Sequence, residues 1–223
     1  MTYWLELENA RDVAYAAADT IEEHARQAIQ QRGEFRLVLA GGSTPLECYR
    51  RLAQRSLDWT KWKIFYGDER CLPVEDPERN HQLVAVTGLT EMIDQHFIIP
   101  AELGAESGAI KYQALIADQM PFDMVLLGMG EDGHTASLFP GLGWDRVDPE
   151  QMVIAVSGAP KPPPERISLS KSALQNCRHM LVLITGDSKR EALQRWKQGE
   201  SLPVAEVSAI DQATVIVEAG LLP

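Results

Sequence analysis

Met124-Val125-Leu126-Leu127 runs straight into Gly128-Met129-Gly130-Glu131-Asp132-Gly133-His134-Thr135-Ala136-Ser137. The first four residues are continuously apolar. Strands buried on both faces read this way, as in a parallel sheet. The same short apolar runs recur at Leu37–Ala40, Val153–Val156 and Met180–Ile184, with weaker ones at Ile64–Tyr66 and Val215–Val217. Between them lie helical patterns. Val13, Ala17, Ile21, Ala25, Ala28 and Ile29 make one apolar stripe from about Arg11 to Arg32. Further helices are predicted near Pro45–Arg55, Ala105–Asp118 and Ser188–Lys197. Strand–helix alternation of this kind implies right-handed crossovers. The expected fold is α/β: a doubly wound, mostly parallel sheet flanked by helices, with a small additional α/β portion. Residues 1–223 are read as one domain, because the only proline cluster, Pro160 to Pro164, is too short to separate two cores.

Ligands of such sheets sit outside the carboxyl ends of the strands, so the residues just behind each strand matter most. Behind Ala40 stand Gly41-Gly42-Ser43-Thr44-Pro45-Leu46-Glu47. Thr44 suits an N-cap, Pro45 the first helical position, and Glu47 completes a capping box. The free N–H groups of that helix start make a ready anion site. An ordinary tight turn with a good cap explains the same residues. Behind Tyr66 come Gly67-Asp68-Glu69-Arg70, either a solvated loop or part of a polar site.

Gly128, Gly130 and Gly133 formally match a dinucleotide fingerprint. That reading fails on charge, since Glu131 and Asp132 would face a pyrophosphate, and no acidic ribose partner ends the next strand. A glycine-shaped loop presenting Asp132 and His134 fits better. A carboxylate beside a histidine fixes its tautomer and lets it work near neutral pH. His24 and His179 read as structural, and His96 has no assigned place. Arg166, before Ile167-Ser168-Leu169, and Lys189, after Thr185-Gly186-Asp187-Ser188, add cations at loop junctions. With Gly42, Ser43 and Thr44 they could form a phosphate clamp.

Other chemistries find no support. There is no Gly-x-Ser-x-Gly elbow, no phosphate-binding Walker loop and no His/carboxylate spacing for zinc. The reaction must therefore be an easy one. Cys48, Cys71 and Cys177 show no disulfide framework, which suits a reducing cytoplasm. No run approaches the roughly 18 apolar residues of a membrane span, and no secretory signal is read at the start. The net charge of −11 argues against nucleic acid or an anionic membrane as a partner.

Four segments resemble the 6-phosphogluconolactonases: Leu39–Pro45, Gly67–Arg70, Gly128–Pro140 and Ala159–Ser168. They are in family order over nearly the whole chain, and the third is the most specific. The resemblance implies a fold shared with glucosamine-6-phosphate deaminases and ribose-5-phosphate isomerases. It implies hydrolysis of 6-phospho-D-glucono-1,5-lactone to 6-phosphogluconate, with no cofactor, by a monomer or homodimer.

On this reading His134 is the general base, Asp132 orients it, and Arg70 stabilises the oxyanion, with help from N–H groups of the Gly128–Gly130 loop. Gly42, Ser43, Thr44, Arg166 and Lys189 hold the phosphate. Asp68 and Glu69 hold sugar hydroxyls or anchor Arg70. A deaminase or isomerase, or a non-catalytic sugar-phosphate sensor, is the alternative. The deaminases usually carry a glutamate five residues after the histidine, where Phe139 stands here, and a tyrosine where Arg70 stands. One departure from the lactonase pattern is Arg79, where serine is common, and it leaves the role of Asn80 open.

Overall fold

The structure is a computed structural model that describes residues 2–222. In chain order the elements are β1 (Tyr3–Leu7), α1 (Ala10–Arg32), β2 (Phe35–Leu39), α2 (Ser43–Ala53), β3 (Trp62–Tyr66), β4 (Asp68–Arg70), α3 (Asn80–Ala85), β5 (Gln95–Phe97), α4 (Ala105–Ile116), β6 (Phe122–Gly128), β7 (Val153–Val156), β8 (Arg166–Leu169), α5 (Lys171–Gln175), β9 (Cys177–Ile184), α6 (Arg190–Lys197), α7 (Pro203–Val207) and β10 (Ala213–Glu218). Seven strands form one sheet in the order β1-β10-β9-β6-β2-β3-β5, and every pairing in it is parallel. The apolar runs account for its centre. In β6 the residues Phe122 through Leu127 are all buried, so neither face meets water.

The α1 stripe packs Val13, Ala17, Ile21, Ala25 and Ala28 into the core. Asn9 caps its start by accepting from the N–H of Asp12, and Gly33 ends it in the left-handed region. α1 and α2 pack on each other and on the sheet. His24 and His179 stack with ring centroids 4.2 Å apart, the structural role expected of them.

Val153–Val156 differs from expectation. It is not a strand of the parallel sheet. It lies in a second, three-stranded antiparallel sheet, β4-β8-β7. α4 packs on β7 and β8. A short apolar run reports burial, and an antiparallel strand covered by a helix is buried as well. This sheet with α4 is the small additional portion. It stands at the carboxyl end of β3, where the hydroxyl of Tyr112 donates to the carbonyl of Tyr66 and accepts from its N–H.

The start of α2 is also corrected. Gly42, with φ 104°, occupies the N-cap, and no side chain caps the helix. Thr44 already lies in the first turn, where its hydroxyl meets that of Thr185 at 2.5 Å. Glu47 pairs with Arg51 at 2.6 Å instead of reaching back. Glycine reaches that φ without strain, so the helix starts two residues earlier than the Thr-Pro pair suggests.

Chain order reverses between β2 and β6. From β2 the chain moves outward through β3 to β5; from β6 it moves the other way through β9 and β10. The loops behind β2 and β6 therefore diverge and leave a crevice between them.

Candidate active site

A cavity of about 420 Å³ fills that crevice. It is lined from the β2 loop by Ala40, Gly41 and Gly42, and from β4 by Asp68 and Arg70. The β6 loop contributes Gly128 to Gly130 and His134 to Ala136, and the proline loop Lys161, Pro162 and Arg166. Asn80, Phe139 and Lys189 complete it. Four cations, Arg70, Lys161, Arg166 and Lys189, thus face one carboxylate, Asp68. In a chain of net charge −11 this is a local reversal of sign.

His134 is set by its loop. Its Nδ1 lies 2.5 Å from Asp132 Oδ1, and the same oxygen accepts its backbone N–H at 3.1 Å. Gly130 donates its N–H to the carbonyl of His134 and closes the loop on itself. A Cβ on Gly130 would collide with the imidazole ring, so only glycine lets the ring fold back there. Phe139 packs against the imidazole with ring centroids 4.5 Å apart. With Nδ1 engaged, Nε2 is the nitrogen left for a ligand. Burial pushes the Asp132 carboxyl up, but the hydrogen bond and charge of His134 outweigh it and hold that carboxyl well below its usual range.

Alternation along β4 divides its three residues. Asp68 and Arg70 face the cavity, whereas Glu69 points away and is fully buried. Glu69 is therefore not a sugar contact. Its carboxylate accepts from the N–H groups of Arg70 (2.8 Å), Asn80 (2.6 Å) and His81 (3.0 Å), and meets His81 Nδ1 at 3.0 Å. The buried guanidinium of Arg79 lies 3.6 Å away. One carboxylate thus joins β4 to the first turn of α3. Asn80 gains a place from this: its Nδ2 donates to the carbonyl and to Oδ1 of Asp68, both at 2.9 Å. Burial raises the Asp68 carboxyl, and a hydrogen bond from Ser137 opposes the rise.

Arg70 and Arg166 stand directly opposite each other in the β4–β8 ladder. Like charges so placed repel. Each is tethered by carbonyls. Arg70 Nη1 donates to Glu78 at 3.0 Å, and Arg166 donates to Lys161, Pro162 and Pro163 at 3.1 to 3.2 Å. The proline loop thereby fixes a buried guanidinium over the Phe139 ring. Burial lowers the Arg166 guanidinium and the Lys189 amine, each partly offset by a nearby carboxylate.

The expected phosphate and oxyanion donors come together only in part. Gly42 lines the cavity, but Ser43 is exposed, the Thr44 hydroxyl is turned to Thr185, and neither side chain lines it. The turn offers backbone N–H groups, not hydroxyls. The N–H of Gly130 is spent on His134, so it is not an oxyanion donor. Lys161, Asn80, Ser137 and Phe139 are site residues to which the sequence assigns no role. Lys161 was detectable as a cation between prolines, a few residues past a strand end. Among the described residues no three His, Cys, Asp or Glu side chains group as metal ligands.

The sequence profile of glucosamine-6-phosphate isomerases/6-phosphogluconolactonase matches residues 8–216. The chain belongs to this family. Within the family it is 34% identical over 203 residues to the 6-phosphogluconolactonase of Mycobacterium leprae (strain TN), covering 83% of this chain and 81% of that protein. It is 37% identical over 194 residues to the human GDH/6PGL endoplasmic bifunctional protein, covering 78% of this chain but only 24% of that longer one. The crystal structure of a 6-phosphogluconolactonase from Shewanella baltica OS155 superposes with a TM-score of 0.86 at 27% identity, covering 98% and 97% of the two chains. The resemblance carried by the four segments therefore holds, and the family fold is the one described above.

Proposed function

We propose that this protein hydrolyses 6-phospho-D-glucono-1,5-lactone to 6-phospho-D-gluconate, the second step of the oxidative pentose phosphate pathway. The observation that carries the reading is the cross-strand pair Arg70 and Arg166, opposite in the β4–β8 register and both lining a cavity that also contains His134. Two arginines on one cavity call for anionic groups in the ligand, and the histidine supplies a base beside them.

A δ-lactone is an activated ester, so water can attack it without a covalent enzyme intermediate. Nε2 of His134 takes a proton from water as the oxygen attacks C1. The tetrahedral oxyanion is stabilised by Arg70. When it collapses, the C1–ring oxygen bond breaks, and the imidazolium returns its proton to the leaving ring oxygen. Asp132 keeps the Nδ1 proton in place throughout. This acid–base help is worth typically about 10² to 10⁴ in rate. The phosphate rests on the N–H groups at Gly42 and on Arg166, Lys189 and Lys161. Their remote binding energy orients the reacting carbon. The whole chain acts as one catalytic unit on this reading. Its three free cysteines suit the cytoplasm, and no helix among the described residues is long and apolar enough to cross a membrane.

Phe139 speaks against a deaminase, because an apolar ring occupies the place beside His134 from which a glutamate would orient it. The test follows acid release from freshly made 6-phosphogluconolactone beside ammonia release from glucosamine 6-phosphate. Acid release alone is expected; ammonia release alone would overturn the proposal.

A further inference from the structure

We propose that Glu131 is an internal competitor for the substrate's phosphate, holding Lys161 until a phosphoryl group displaces it. This rests on the reading of Lys161, Lys189 and Arg166 as the phosphate site. Glu131 lies on the same loop as Asp132 and His134, and its Oε2 is 3.2 Å from Lys161 Nζ. Lys161 and Lys189 both line the cavity, whereas Glu131 stands outside the lining. The carboxylate is therefore placed at the rim and reaches toward the cations from there.

Among the acids near the cations, Asp68 and Glu131 differ in freedom. Asp68 is buried and fixed by Asn80 and Ser137, so it cannot yield. Glu131 and Lys161 are each about half exposed, at 54% and 49% of their side-chain surface. Exposed pairs of this kind contribute little stability and exchange partners readily. A dianionic phosphoryl group offers a cation more charge and more oxygens than one carboxylate does. Lys189 feels the same acid: burial and the neighbouring Lys161 lower its amine, and Glu131, with Asp132, opposes that. Glu131 thus screens two neighbouring ammonium groups that would otherwise repel, and it gives them up to a stronger anion.

Glu131→Gln keeps the shape and removes the charge. Calorimetric titration at fixed ionic strength with inorganic phosphate and with 6-phosphogluconate is expected to give a Kd lowered roughly three- to tenfold, the range of one exposed ion pair plus one removed repulsion. In a Lys161→Ala background the same change should be smaller, leaving only the removed repulsion, because the competed lysine is gone; an equal gain in both backgrounds overturns the competition for Lys161. An unchanged or raised Kd for Glu131→Gln, with Lys189→Ala still weakening phosphate binding, overturns the competitor and leaves the phosphate site standing. Unchanged phosphate affinity in both Lys161→Ala and Lys189→Ala would instead overturn the phosphate site, and the competitor with it.

Discussion

Ser137 donates its hydroxyl to Oδ2 of Asp68 at 2.6 Å. The bond joins the loop that presents His134 to the strand that presents Arg70. The proposed base and oxyanion donor come from different sheets, His134 from the loop behind β6 of the parallel sheet and Arg70 from β4 of the antiparallel one, and this contact ties the two together. Ser137 is held in turn, since its N–H donates to the Ser168 hydroxyl at 3.2 Å.

Ser137→Ala should therefore cost stability and geometry together. A hydrogen bond to a buried charged group is worth about 1.5 to 3 kcal/mol. Urea unfolding is expected to report a loss of that order, and kcat is expected to fall more than KM changes, because the cations of the proposed phosphate site are untouched. A kcat equal to that of the wild type would show that the two loops keep their spacing without this bond.

Glu69→Gln should be more damaging to the fold. It leaves the buried Arg79 guanidinium with Glu102 as its remaining carboxylate partner, 3.0 Å away. It also weakens the acceptor for the N–H groups of Asn80 and His81. Breaking a buried pair costs about 3 to 5 kcal/mol, and the thermal midpoint should drop accordingly. A shift of less than about one degree, against the several degrees that such a loss implies, would mean that Glu69 is not the hub it looks to be.

The place of Glu69 shows how far sequence carries. Asp68 and Glu69 read as two undivided acids beside Arg70, and only the knowledge that the three form a strand of their own separates them by alternation. The centre of the parallel sheet was legible because runs such as Met124–Leu127 are buried on both faces. Its edges were not: β1 is half exposed, and β5 has only three residues. Val153–Val156 signalled burial without signalling direction. In the site, the Gly-rich loop gave away His134 and Asp132, because glycine spacing marks a backbone bent around a side chain. Asn80, Ser137 and Lys161 matter through contacts with residues far along the chain, and no local pattern records such contacts.

A pH effect on stability arises from the His24–His179 stack. Burial and the neighbouring His24 push His179 down to about 4. A depressed folded-state value means that the neutral form is favoured by folding. The contribution is full above the unfolded value near 6.5 and is lost as pH falls toward 4. With its partial exposure discounted, the loss is about 1 to 2 kcal/mol. Urea titrations of His179→Gln and the wild type should converge as pH falls from about 7 to about 4. Parallel curves over that range would remove His179 as the cause.

The measurement that bears most directly on the central claim is turnover of His134→Ala on freshly prepared lactone, alongside its affinity for 6-phosphogluconate. With His134 as the base, kcat should fall by about 10² to 10⁴, while Kd for 6-phosphogluconate stays within a fewfold of wild type. A variant that keeps its turnover within tenfold would contradict the assignment of the base, and with it the mechanism.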